Sequence, residues 1–147
     1  MDYRDAENRV QDAKAVVVDE SLPGNGGDVV AIVEDAKQRL FSLEADWDGE
    51  GSPIFDEITV KAASDFVYEL CSQGNGESLA REVEILPASG GSVDLHWQTP
   101  FFELLIVFNA DGSSSFYGDN CNGERSIQGE HRPDPEEIAH WMEGLNA

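Results

Sequence analysis

The sequence predicts an α+β domain with two N-terminal helices, a four-stranded antiparallel β-meander and a C-terminal helix. Three observations predict it. Apolar residues recur at helical spacing in the first half and again at the end of the chain, alternate with polar ones in the middle, and the segments are separated by glycine- and proline-containing turns.

The elements follow in order. Residues 1–27 are polar apart from one apolar run, Ala15–Val18, and the glycine-rich stretch Leu22–Gly27 reads as a loop. The single folded domain is expected over 28–147. Asp28 is placed to cap a first helix, along which Val29, Val30, Val33, Ala36, Leu40, Leu43 and Trp47 form one face. Gly49 and Gly51 stop that helix, and Pro53 cannot continue it. Asp56 caps the second helix, with Phe55 and Val60 spaced as a hydrophobic staple. Its buried stripe is Val60, Ala63, Phe66, Val67 and Leu70, and Gly74-Asn75-Gly76 ends it.

Val83 and Ile85 then alternate with Glu82 and Glu84. After the Gly90-Gly91 turn, Val93, Leu95 and Trp97 alternate with Asp94 and His96. Thr99-Pro100 is taken as the next turn, which sets Trp97 opposite Phe102, Leu95 opposite Leu104 and Val93 opposite Ile106. His96 then faces Glu103. The Asn109–Ser113 loop sets Ile106 opposite Phe116 and Leu105 opposite Tyr117. The last helix opens with Asp134-Pro135-Glu136-Glu137, a cap followed by proline at the first helical position. Its apolar stripe is Ile138, Trp141, Met142 and Leu145.

The chain is strongly acidic. Thirty Asp and Glu face nine Lys and Arg in 147 residues, for a net charge of −21, and the lysines are Lys14, Lys37 and Lys61. The acids are spread along the whole chain with no long like-charge block, which marks a solvent rather than a tail. Such charge repels itself in dilute buffer but is screened at molar salt, where the Debye length is about 3 Å. A halophilic, archaeal cytoplasm is the expected setting. No basic stripe exists to grip phosphates, so nucleic acid is not expected as a partner. Cys71 and Cys121 match neither a disulfide scaffold nor a metal-site spacing and read as free thiols. No long apolar run or signal-peptide pattern is present, so a cytoplasmic protein without membrane association is expected.

Trp47-Asp48-Gly49-Glu50-Gly51-Ser52-Pro53, the strand Gly91-Ser-Val-Asp-Leu-His-Trp97, and Ala110-Asp-Gly112 followed by Phe116-Tyr117 together resemble a group of small uncharacterised prokaryotic proteins. Those have a W-D-G-x-G-(A/S)-x-P stretch between two helices and a G-x-V-x-L-E-W strand. Here the proline comes one place early, and His96 stands where glutamate is usual. The resemblance covers roughly residues 28–145. It implies a shared fold and brings no activity with it.

Three regions carry candidate chemistry. Trp47–Pro53 is a loop that either presents Asp48 and Glu50 to a ligand or cation beside the aromatic anchor Trp47 or, the favoured reading, joins two helices compactly with Asp48 capping backbone amides. His96, Glu103 and Asp94 share one sheet face, where a histidine beside two carboxylates can serve as a base or metal ligand but also as an ordinary cross-strand pair. Phe101, Leu105, Val107 and Tyr117 make the same face too apolar to stand bare. Cys121 as a nucleophile and Gly24–Gly27 as a phosphate loop are weaker: the first sits in a polar turn, and the second lacks the Walker lysine and hydroxyl residue.

The favoured function is therefore a non-enzymatic protein-interaction module whose apolar sheet face takes a protein partner or a second copy in a homodimer. No cofactor and no metal are expected. The alternative is a small metal-dependent or hydrolytic enzyme centred on His96 and Glu103, and a further alternative is a DNA-mimic inhibitor.

Overall fold

The computed structural model describes residues 26–120 and 123–145. Helices α1 (Gly26–Ser42), α2 (Glu57–Cys71) and α3 (Gly76–Ala80) precede five strands: β1 (Glu84–Ala88), β2 (Ser92–Gln98), β3 (Phe102–Phe108), β4 (Ser114–Asn120) and β5 (Ser126–Gly129). Helix α4 (Pro135–Leu145) closes the fold. The strands form one antiparallel sheet in sequence order. The α+β class is as the sequence predicts, with two additions: the sheet has five strands rather than four, and a third short helix precedes it. Ala15–Val18 and Cys121 lie outside the described residues.

The long helices follow their apolar stripes. Asp56 caps α2 by accepting from the Thr59 N–H at 2.7 Å. Val60, Ala63, Phe66, Val67 and Leu70 are all buried. Asp134 accepts from Glu136 N–H at 3.0 Å, and Ile138, Trp141 and Met142 of α4 face the core. Helix α1 differs at both ends. It already begins at Gly26, two residues before the expected cap at Asp28, and it stops at Ser42, before Trp47. Beyond it Asp46 takes a positive φ of 65°, which no helix continues through, and its N–H turns back to the Ser52 carbonyl. Likewise α2 ends at Cys71, ahead of the Gly74–Gly76 stop, and Gly76 opens α3 instead. A Cβ at Gly76 would collide with the Leu70 carbonyl, so the tight α2–α3 corner requires glycine.

The β2–β3 register is corrected by two residues. Trp97 pairs with Leu104, Leu95 with Ile106, Val93 with Phe108, and His96 with Leu105. The turn residues are Pro100-Phe101, not Thr99-Pro100. The Thr99 N–H donates to the Phe102 carbonyl, and the Thr99 hydroxyl oxygen accepts from the Phe101 and Phe102 N–H groups, so the threonine closes the hairpin one residue later. A shift of two leaves every side chain on its expected face, because strands alternate with period two. The β3–β4 pairs Ile106–Phe116 and Leu105–Tyr117 are as expected.

Among the described residues, the core lies on one side of the sheet. Val93, Leu95, Trp97, Leu104, Ile106 and Phe116 point to it, against α1, α2 and α4. Trp97 is fully buried and donates its indole N–H to the Leu79 carbonyl of α3 at 2.8 Å. Phe102 meets Trp141 of α4 edge-on at 5.4 Å, and Phe66 of α2 packs near Phe108. No helix among the described residues is long and apolar enough to cross a membrane.

Candidate functional site: the outer sheet face

Alternation sends the other half of each strand outward. Reading across β1 to β5, one row is Glu84, His96, Leu105, Tyr117 and Gln128. The next is Leu86, Asp94, Val107 and Ser115. Leu86 and Leu105 are 37% exposed and Tyr117 is 52% exposed, so among the described residues no helix covers these side chains. Phe101 is also exposed, in the turn before β3. Leu105, Val107, Tyr117 and Gln128 line a groove of about 410 Å³, which Ser115 and Glu130 border.

The centre of this face is charged. His96 is clamped between two carboxylates: its Nε2 lies 2.8 Å from Glu103 Oε2 and its Nδ1 3.3 Å from Glu84 Oε1. The bond to Glu103 chiefly raises the imidazole pKa, against the opposing effect of burial, and Glu84 adds to it. The Glu103 contact is diagonal, since Leu105 stands directly opposite His96. Asp94 lies between Leu86 and Val107. Burial pushes its pKa up, and its Oδ1 is enclosed with no hydrogen-bond donor. Asp119 Oδ1 is in the same condition, while its Oδ2 accepts from the Tyr117 hydroxyl at 3.2 Å.

This geometry suits a structural ion-pair network better than a reaction centre. Both imidazole nitrogens already meet carboxylates, which leaves neither to take a proton from a substrate or to bind a metal. Among the described residues, no group of three or more His, Cys, Asp and Glu side chains is arranged to hold a metal ion. His140 points away on the exposed side of α4, and His131 stacks edge-on against Phe116 at 5.4 Å.

Trp47 and Asp48 lie in the α1–α2 connection and do not join this cluster. Asp48 accepts from the Glu50 N–H at 3.0 Å, the Ser52 hydroxyl at 2.7 Å and the Ser89 hydroxyl at 2.8 Å. Those donors, Ser52 first, lower its pKa to about 2. Ser52 Oγ in turn accepts from the Gly90 N–H. The loop is thus fastened to the β1–β2 turn, and Trp47 packs on Phe55 at its base. All the donors to Asp48 are internal, which is the work of a structural carboxylate.

Sequence reasoning brought Asp94, His96, Glu103, Leu105, Val107 and Tyr117 to one face, counted Phe101 with them although it lies in the turn before β3, and missed Glu84, Leu86 and Asp119. The signal for the first two was present: Glu84 and Leu86 alternate with the buried Val83 and Ile85. No protein-family model, curated protein or solved structure matches the chain.

Proposed function

We propose that this chain is a non-enzymatic protein-interaction module of a salt-rich cytoplasm, sharing its fold with the W-D-G-x-G group, and that it docks protein on the outer face of its sheet. One observation carries the reading: α1, α2 and α4 all serve the inner face, and the outer face leaves Leu105 and Tyr117 exposed along a groove, with Leu86 exposed on β1 beyond Asp94. Exposed apolar side chains beside a groove, with polar and charged groups among them, are a usual mark of a docking surface. The DNA-mimic alternative asks for carboxylates gathered on one face. Instead, exposed acids stand on α1 (Glu34), α2 (Glu57), α4 (Glu136) and the opposite sheet face (Glu103).

A photo-activated cross-linker at position 105, expressed in a salt-requiring host cell, tests the docking reading. It forms a discrete protein adduct, either with another chain or with a second copy, whereas the same group at Ile58 on exposed α2 does not. No adduct from position 105 counts against the reading. The solvent assignment has its own test. The fold loosens as KCl drops below about molar, where the Debye length grows from about 3 Å toward 10 Å. Full stability in dilute buffer contradicts a halophilic origin.

A further inference from the structure

The outer face has a charge pattern that selects among occupants. Glu84, Glu103 and Asp119 border the apolar rows, and Asp94 sits within them. No Lys or Arg occupies an outward position of the five strands, and the one basic side chain there, His96, is already held by Glu84 and Glu103.

A second copy brings the same carboxylates. Face-to-face pairing would press Glu84, Asp94, Glu103 and Asp119 against like groups while removing water from them, and desolvated contacts of that kind are little relieved by salt. Asp94 and Asp119 each also hold one enclosed oxygen that receives no hydrogen bond. An enclosed oxygen is out of reach of a donor from outside, so a cation can meet these carboxylates only through their other oxygens. An occupant that brings cations answers the charge, and one that brings aliphatic side chains answers Leu86, Leu105, Val107 and Tyr117.

Resting on the docking reading above, we infer that the occupant is a segment of a different protein in which aliphatic residues alternate with lysine or arginine. Its aliphatic side chains lie on Leu105, Val107 and Tyr117, and its cations pair with Asp94 and Asp119. Such pairs form at contact distance, so they persist at molar salt where long-range steering does not.

The probe is a short capped peptide of alternating lysine and valine, compared with its twin carrying glutamate for lysine. Both are titrated into the full 147-residue chain in molar KCl while amide resonances of Leu105 and Tyr117 are followed. The lysine peptide binds at least about tenfold more tightly than the glutamate twin. Asp94→Asn cuts that preference several-fold and leaves the melting temperature at or above that of the parent, which separates lost recognition from lost folding. Equal binding of the two peptides, or an unchanged preference in Asp94→Asn, overturns the inference. Sedimentation as a dimer that Leu105→Glu dissociates also overturns it, yet supports the docking reading. Absence of binding by either peptide overturns the cationic occupant if position 105 still cross-links a protein, and overturns both readings if it does not.

Discussion

The two faces of the sheet use alternate residues of the same strands for opposite ends. Leu104 and Leu105 are neighbours in β3, yet Leu104 is fully buried against the helices and Leu105 is 37% exposed. On the inner face, polar atoms are few and the side chains interlock with α1, α2 and α4. On the outer face, Leu86, Leu105, Val107 and Tyr117 are interspersed with a His–Glu network and a half-buried aspartate. The difference teaches that burial and exposure are separated here by parity along a strand. The inner residues form the core, while the outer ones contribute through surface pairs such as His96 with Glu103.

The largest effect that would break this division is the simplest to seek. Leu104→Ala empties a closed site and costs about 2–5 kcal/mol in urea unfolding at molar KCl. Leu105→Ala, one residue away, stays within about 0.5 kcal/mol of the parent. Comparable losses at the two positions would mean that the outer face is structural too.

A smaller effect concerns the loop beneath the β1–β2 turn. The carboxylate of Asp48 has its pKa lowered from 3.8 to about 2, so its contribution is complete above pH 3.8 and disappears as the pH falls toward 2. Asp48→Asn therefore lowers the melting temperature at neutral pH, and the gap to the parent closes in acid. A gap that persists at the lowest pH would show that the loop depends on shape rather than on this charge.

The smallest effect belongs to the outer network. His96 has its pKa raised above the ordinary 6.5 by Glu103 and Glu84. Its contribution is full below pH 6.5 and is lost as pH rises through the higher folded value. His96→Gln removes this alkaline decline and leaves a flatter stability curve, as thermal melts across that range will show. An unaltered decline would assign it to another group.

Much of this was legible in the chain, for physical reasons that also explain the failures. Helices α2 and α4 combine a capping aspartate with a full apolar stripe, so pattern and local chemistry agree. The face of each strand was legible even where the register slipped, since an error of two preserves parity. What escaped was short or depended on distant contacts. Helix α3 has five residues and β5 four, too few for a period to emerge. Leu79 is recognisable only because Trp97 bonds to its carbonyl, and Ile127 only because it stands opposite Gly118. Trp47 continued the spacing of α1 in sequence, but Asp46 had turned the backbone before it. At the candidate site His96 and Glu103 were legible as near neighbours. Glu84 was not, because its contact depends on the β1–β2 register.

The central claim is that the outer sheet face of the folded chain is open and apolar. Carbene footprinting of the 147-residue chain in molar KCl measures it residue by residue. Labelling at Leu86, Leu105 and Tyr117, with none at Leu104 and Ile106, is the result the account predicts. Protection of Leu105 and Tyr117 to the level of Leu104 in the isolated monomer would contradict it, because another part of the chain would then already cover the face.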